Sequence, residues 1–272
     1  MAHLTGELLI GGQRRLGTHG EIKGVNPATG ETIADVADLT AEDTRKAIDI
    51  AYEAQKEWRR KTAKERCAIL LKWNDLMLEN QEDLGRILTA EMGKPLAEAK
   101  GEIAYGASFI QWFAEEARRV YGDVIPGHQA DKRIVVIKQP VGVVASITPW
   151  NFPFNQAIRK MVSAIGAGCT LILKGPEDSP SAVVALAQLF HDAGLPPGVL
   201  NIVWGVPGEI STYLIESPIV RKISFTGSVP VGKQLAWLIL ACRSRPCRSG
   251  VRRRRLARDT SKHGAVRVPH PR

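Results

Sequence analysis

Short β-branched runs alternate with helix-length segments over residues 140–240. The runs at residues 141–147, 170–174, 199–203 and 222–225 are apolar and bounded by Gly or Pro. Between them lie segments of roughly 10 to 15 residues with helical periodicity. This alternation predicts parallel strands joined by right-handed crossovers, and therefore an α/β fold with a doubly wound parallel sheet. In such sheets ligands bind beyond the carboxyl ends of the strands.

The first 139 residues predict short strands, then helices, then a hairpin. Residues 7–37 contain turn signals between short strand-like runs. Thr40 and Asp43 form a predicted capping box at the start of an amphipathic helix. Further helices are expected at about 62–79, from about 81 to a break at Gly93-Lys94-Pro95, and from about 96 to 119. Four aromatic residues at helical spacing in the last of these are expected to pack in the core: Tyr105, Phe109, Trp112 and Phe113.

The formal net charge of +9 is unevenly divided along the chain. Residues 241–272 hold ten arginines and Lys262 against a single acid, Asp259, whereas the other 240 residues hold 26 basic and 27 acidic groups. The body is therefore near neutral, and its charge gives no reason to expect nucleic acid as a partner. The tail lacks aromatic residues and large apolar runs, so we expect it to be disordered.

Composition also limits the class of protein. At 44% apolar residues the chain can bury a sizeable core, and it lacks a run of about 18 apolar residues that would predict a membrane span. The four cysteines lack zinc-site spacing and are too few for a disulfide framework, so we expect reduced thiols and no metal site. A cytoplasmic location and no membrane partner are the resulting expectations.

Three polar segments follow predicted strands. Residues 148–153 read Thr-Pro-Trp-Asn-Phe-Pro, Lys174 and Glu177 follow the next strand, and residues 227–232 follow the last. A lysine and a carboxylate at a strand end can bind the ribose of a dinucleotide, and Glu177 would repel a 2′-phosphate, which favours NAD over NADP. A solvated surface pair is the alternative for Lys174 and Glu177. The glycine segment 227–232 could hold a phosphate at a helix start, or be only a turn.

Together these segments resemble the aldehyde dehydrogenase superfamily, and within it the succinate-semialdehyde dehydrogenase group. The resemblance covers about residues 7 to 240. Its motifs are residues 149–153, 174–177, 194–198 with 201–203, and 223–228, and an upstream block at 91–100 with 113–117 and 121–123.

The resemblance implies NAD(P)-dependent oxidation of an aldehyde, such as succinate semialdehyde, to its acid. It implies a Rossmann-like NAD-binding domain: residues 1–120 supply amino-terminal strands and helices, 121–139 a β-hairpin oligomerisation arm, and 140–240 the βαβ dinucleotide-binding core. Intact relatives are expected to be homo-oligomers. Asn151 would supply an oxyanion-stabilising amide, although an Asx turn is its alternative. Arg159 would bind the far carboxylate of the substrate, or be a solvated or interhelical charge.

The same resemblance assigns cofactor contacts residue by residue. Ile147, Thr148, Pro149 and Trp150 would border the nicotinamide half, and Lys174 and Glu177 the adenosine ribose. Gly205 and Gly208 would lie on the adenine side, and Phe225, Gly227, Ser228 and Val231 would flank the pyrophosphate and adenine.

The sequence departs from the family after residue 240. The family's general-base glutamate and nucleophilic cysteine segments do not occur in residues 1–272, and Cys242 and Cys247 lack the expected neighbours. The resemblance therefore predicts a truncated chain, with its carboxyl-terminal catalytic domain missing, that is inactive as a dehydrogenase. The arginine-rich composition of 241–272 suggests a shifted reading frame, which the other two frames of the coding DNA would reveal. The alternatives are a residual nucleotide-binding module, or a non-functional fragment whose basic tail binds polyanions.

Overall fold

A computed structural model describes residues 4–6, 8–15, 21–37 and 40–244. In chain order its elements are β1 (Leu4–Gly6), β2 (Leu8–Ile10), β3 (Gln13–Arg15), β4 (Glu21–Val25), β5 (Thr32–Ala37), α1 (Ala41–Trp58), α2 (Ala63–Glu79), α3 (Gln81–Met92), α4 (Leu96–Ala117), β6 (Asp123–Pro126), β7 (Arg133–Val136), β8 (Val143–Ile147), α5 (Pro153–Gly166), β9 (Leu171–Lys174), α6 (Pro180–Asp192), β10 (Leu200–Val203), α7 (Pro207–Glu216), β11 (Val220–Phe225) and α8 (Val229–Ser244).

The main sheet has the strand order β11-β8-β9-β10-β2-β3. Strands β11, β8, β9 and β10 are parallel, β2 pairs antiparallel with β10, and β3 forms the far edge. The chain places β9 and β10 in turn on one side of β8 and then returns to place β11 on the other side. The direction of winding therefore reverses between β8 and β11, which confirms the predicted doubly wound parallel sheet and identifies its switch point.

Both faces of the central strands are covered. Every residue of β8, β9 and β10 is buried, as expected for parallel strands with helices on each side. Helix packing around them includes a stacked pair, Trp73 of α2 and Phe190 of α6, whose ring centroids are 4.0 Å apart. The strands that carry the three polar segments are thus anchored in a continuous core.

The helix boundaries follow local sequence signals. Thr40 caps α1 through the predicted capping box with Asp43, and Thr62 forms an equivalent box with Glu65 at the start of α2. Helix α3 ends at Gly93, whose φ of 68° lies in the left-handed region where glycine is favoured. The predicted break at Gly93-Lys94-Pro95 therefore separates two antiparallel helices, α3 and α4.

The predicted packing of the aromatic stripe in α4 was wrong for two of its four residues. Phe109 and Phe113 pack against the core, but Tyr105 and Trp112 are 53% and 59% exposed. The buried stripe of α4 contains small residues instead, which let the helix lie close to α5: a Cβ at Gly106 would lie 2.5 Å from Ile158 Cδ1. Larger side chains are excluded from that contact and lie beside it or in solvent.

Two regions lie at the margins of the sheet. Strands β6 and β7 form the predicted antiparallel hairpin, and every residue in both strands is exposed. Its role as an oligomerisation arm stays a prediction. Helix α8 continues to Ser244, so it includes the first four residues of the predicted tail, 241–244. The predicted disorder of the remaining tail, 245–272, falls outside the described residues.

Candidate functional site

The ends of four parallel strands lie side by side in register. Ile147 of β8 pairs with Lys174 of β9 on one side and with Phe225 of β11 on the other, and Lys174 pairs in turn with Val203 of β10. The loops after these strands therefore begin at one edge of the sheet. Thr148 N–H donates to the Lys174 carbonyl at 3.2 Å, and Thr226 N–H donates to the Ile147 carbonyl at 3.1 Å, which extends the pairing into the loops. The predicted site residues are thus brought to the switch point of the sheet.

The loop of residues 148–152 presents polar and aromatic groups outward. Thr148 is buried, whereas Trp150 and Phe152 are 55% and 46% exposed. Asn151 is also exposed, and its side chain makes no hydrogen bond to any described residue. An Asx turn would need such a bond, so the Asx-turn alternative is not what the structure contains. The Asn151 amide is therefore available to a ligand.

Lys174 and Glu177 form a close ion pair beside this loop. Lys174 Nζ lies 2.6 Å from the Glu177 carboxylate, and the side chains are 4% and 19% exposed. A solvated surface pair would be far more exposed, so that alternative was wrong. A cofactor ribose that reached these two residues would meet a partly desolvated donor and acceptor, where hydrogen bonds to charged groups are strongest.

The loop after β11 brings backbone close to the same edge. A Cβ at Gly227 would lie 2.4 Å from the Phe225 ring, so a larger residue would require the ring to move. Ser228 and Val231 are exposed at the start of α8. Gly205, which follows β10 and Trp204, is buried with φ 132°, and a Cβ at Gly208 would meet nothing within 4 Å. The structure therefore places all the predicted cofactor residues along one rim, and leaves their individual contacts as predictions.

Two buried glutamates at this edge were missed at the sequence level. Glu102 of α4 accepts hydrogen bonds from Phe154 N and Asn155 N, and Glu91 of α3 accepts from Ser181 N and Ala182 N. They occupy the amino termini of α5 and α6. Burial raises the pKa of the Glu91 carboxyl to about 7, against the lowering effect of its hydrogen bonds from Ser181 and Ala182. One signal was present: each glutamate interrupts an apolar stripe of its helix.

Arg159 lies between α5 and α4. Its guanidinium carbon lies 4.1 Å from the Phe109 ring centroid and 5.5 Å from that of Tyr105, and Nη2 donates to the Tyr105 hydroxyl at 3.1 Å. Of the alternatives drawn from sequence, the interhelical position is observed, and a substrate role remains a prediction. The neighbouring Lys160 donates from Nζ to Ser224 Oγ of β11 at 2.9 Å, and burial lowers the pKa of that ammonium.

No group of three or more His, Cys, Asp or Glu side chains within the described ranges is arranged to hold a metal ion. Among the same residues, no helix is both long enough and apolar enough to cross a membrane.

Comparison with known proteins fixes the family. A sequence model of the aldehyde dehydrogenase family matches residues 16–242. The chain belongs to the aldehyde dehydrogenase family. The resemblance drawn from the motifs is thereby confirmed.

Curated relatives of this aldehyde dehydrogenase chain include enzymes acting on semialdehydes. A glutarate-semialdehyde dehydrogenase of Pseudomonas putida is 57% identical over 214 residues, which is 79% of this chain and 45% of the relative. An Escherichia coli succinate-semialdehyde dehydrogenase named for NADP(+) is 54% identical over 230 residues, 84% of this chain and 48% of the relative. The chain therefore spans about half the length of the curated relatives it matches.

Solved structures agree with this aldehyde dehydrogenase fold. The crystal structure of succinate-semialdehyde dehydrogenase from Burkholderia pseudomallei superimposes with a TM-score of 0.85 at 49% identity, over 87% of this chain and 49% of that one. The crystal structure of an E. coli NADP-dependent enzyme gives a TM-score of 0.86 at 50% identity, over 88% of this chain and 50% of that one.

Proposed function

We propose that residues 1–272 form the cofactor-binding part of an NAD(P)-dependent dehydrogenase that oxidises an aldehyde to a carboxylic acid. The observation that carries the proposal is the register of Ile147, Lys174 and Phe225, which begins three ligand-facing loops at the switch point of the sheet. Bound NAD(P) would accept the hydride released from the substrate carbon. The chain's own part is to hold the cofactor and to present the Asn151 amide to the developing oxyanion.

The substrate we propose is a small aldehyde with an anionic group at its far end, with succinate semialdehyde as the first candidate. Two of the relatives are named for glutarate semialdehyde and succinate semialdehyde, and a third is a 3-sulfolactaldehyde dehydrogenase. Each of these substrates combines an aldehyde with a carboxylate or sulfonate. Arg159 supplies a guanidinium that the rings of Phe109 and Tyr105 hold in place, which suits bidentate binding of such a group.

The cofactor we propose is NAD in preference to NADP. The Glu177 carboxylate can accept from the hydroxyls of an unphosphorylated ribose, while it would repel a 2′-phosphate. One relative is named for NADP(+), so both cofactors need to be measured. Calorimetry on residues 1–272 is expected to show that NAD binds more tightly than NADP. Glu177→Gln is expected to reduce this difference in affinity between the two cofactors. Tighter binding of NADP by the unaltered chain would refute this preference.

We further propose that residues 1–272 bind the cofactor without turning over substrate. Cys67 and Cys169 are buried at 4% and 3% exposure in the core, away from the site loops. Cys242 lies near the end of α8, 15 residues past Gly227. Purified residues 1–272 mixed with NAD and succinate semialdehyde are expected to produce no steady NADH signal at 340 nm, although calorimetry detects NAD. Steady NADH production would refute the prediction of inactivity, and absence of any binding would refute the cofactor role.

A further inference from the structure

Helices α5 and α6 start in the same way. Each begins with a proline, Pro153 or Pro180, which has no N–H to donate. In neither helix does the residue before the proline cap the first turn with its side chain. The next two amides of each helix are buried and need acceptors from elsewhere, because a buried N–H without a partner carries the full cost of its desolvation.

Glu102 of α4 supplies the acceptor for α5. Its Oε1 atom accepts from both Phe154 N, at 3.1 Å, and Asn155 N, at 3.2 Å. Its Oε2 atom lies 2.5 Å from Lys94 Nζ, and the Glu102 side chain is only 1% exposed. The Lys94 ammonium also lies 4.2 Å from the centroid of the Phe152 ring, so the same ion pair holds the end of the loop that carries Asn151.

Glu91 of α3 supplies the acceptors for α6, and each of its two carboxylate oxygens accepts from one amide. Oε1 accepts from Ser181 N at 2.6 Å, and Oε2 accepts from Ala182 N at 2.9 Å. The residue is 4% exposed. Helix α6 follows the loop that carries Lys174 and Glu177, so Glu91 fixes the far end of that loop.

Both carboxylates belong to one antiparallel pair of helices, α3 and α4. Glu91 lies near the end of α3 and Glu102 in the second turn of α4, on either side of the break at Gly93. The pair is packed closely on α5, where Gly106 admits Ile158 to its backbone. One rigid unit outside the sheet therefore fastens the distal ends of both ligand-facing loops.

We propose that Glu102 and Glu91 are positioning residues for the cofactor: Glu102 sets the loop of residues 148–152, and Glu91 sets the loop of residues 175–179. The proposal rests on the cofactor role proposed above. It predicts that the two glutamates affect different halves of NAD. Glu102 acts on the loop assigned to the nicotinamide half, whereas Glu91 acts on the loop that carries the ribose-facing Glu177.

The test compares affinities for NAD and for AMP, which contains only the adenosine half. The decisive pair of variants is K94M/E102L and K94M/E102Q, which differ only in whether residue 102 keeps an Oε1 acceptor. K94M/E102L is expected to weaken NAD binding by about tenfold, equivalent to about 1.4 kcal/mol, while AMP binding stays unchanged. K94M/E102Q is expected to restore NAD binding, because the carboxamide oxygen can accept from both amides.

The Glu91 variants complete the comparison. E91L is expected to weaken AMP and NAD alike by about tenfold, since both ligands contain the adenosine half. E91Q keeps one acceptor oxygen, so its affinities for NAD and AMP are expected to lie between those of E91L and those of the unaltered chain. E98Q alters an exposed acid of α4 and should change neither affinity. If K94M/E102L weakened NAD and AMP in parallel, Glu102 would be a general stability element and the proposal would be overturned.

Amide hydrogen exchange tests the same positioning without any ligand. K94M/E102L should speed exchange at Phe154 and Asn155 at least about tenfold relative to K94M/E102Q, with Ser181 and Ala182 unaffected, and E91L should do the reverse. Should K94M/E102L be too unstable to study, Glu102→Asp, whose shorter side chain cannot reach both amides, replaces it. Unchanged exchange at Phe154 and Asn155 overturns the proposal. If the unaltered chain bound neither NAD nor AMP, the proposed cofactor role would be refuted. Amide exchange rates at the starts of α5 and α6 would then be the test of whether the two glutamates position the loops.

Discussion

Glu91 should make the stability of this aldehyde dehydrogenase chain depend on pH in a direction opposite to that of most surface acids. Burial raises the pKa of its carboxyl from 4.5 to about 7 in the folded protein. The folded state therefore binds this proton more tightly than the unfolded state does. The stabilisation is fully present below about pH 4.5 and is lost as the pH rises through 7.

The size of the effect follows from the two pKa values. A change from 4.5 to about 7 corresponds to about 3 kcal/mol in the free energy of unfolding once both states are ionised. Raising the pH from 5 to 8 should therefore lower the free energy of unfolding of the unaltered chain by about 2 to 3 kcal/mol. Glu91→Gln removes the ionisation and keeps an oxygen that can accept from one of the two α6 amides. We therefore expect the free energy of unfolding of E91Q, measured relative to that of the unaltered chain, to rise by about 2 to 3 kcal/mol between pH 5 and pH 8.

The assay is urea unfolding of both proteins at pH 5 and pH 8, with the free energy taken from the midpoint and slope. Other groups that titrate over this range are common to both proteins, so they cancel in the difference. Glu98→Gln, at an exposed position of α4, is the matched control for the loss of one carboxylate. A difference between E91Q and the unaltered chain that stayed constant from pH 5 to pH 8 would show that the carboxyl does not titrate as a buried group, and would refute the reasoning.

Three further predictions concern packing, each measured by urea unfolding of a single variant. Gly175→Ala should destabilise the fold by about 1–3 kcal/mol, because the new Cβ would lie 2.2 Å from the Trp204 ring. A variant as stable as the unaltered chain would contradict this prediction and show that the ring has room to move. Gly101→Ala should instead stabilise by about 0.5–1 kcal/mol, because this exposed helical glycine has nothing within 4 Å of the added atom. Trp73→Ala should cost about 3–5 kcal/mol by removing a fully buried ring stacked on Phe190, and a cost below about 1 kcal/mol would contradict the packing described.

The sequence predicted well those features that depend on neighbours along the chain. The capping box of Thr40 and Asp43 needs only a threonine and an acid three residues apart, and it forms as expected. The strand that ends at Ile147 is a β-branched run bounded by Pro, and its burial makes it recognisable. Since parallel strand ends lie at one edge, the grouping of Trp150, Lys174 and Gly227 followed from the order of the elements.

The features that were missed depend on distant partners. Glu102 repeats with Ala99, Ile103 and Gly106 in the buried stripe of α4, so its position indicated burial but not what it binds. Its partners Phe154 and Asn155 lie about 50 residues later. Helical periodicity also led to the wrong prediction that Trp112 is buried. The face of α4 that packs on α5 contains small residues, and the Trp112 ring lies outside that contact. Helical spacing identifies a shared face, and the neighbour that covers it decides what is buried.

The capping glutamates also bear on where an anion can bind. In doubly wound sheets, phosphates are held by helix amino termini, where free amides and the helix dipole favour negative charge. At α5 and α6 those amides already donate to Glu102 and Glu91, so an incoming phosphate would meet a buried carboxylate. Helix α8 has no acid in its first turn, and it starts two residues after Gly227, whose Cα lies close to the Phe225 ring. Carboxylates thus occupy two of the helix starts that follow the aligned strand ends, which favours the start of α8 as the pyrophosphate site proposed for Gly227 and Ser228.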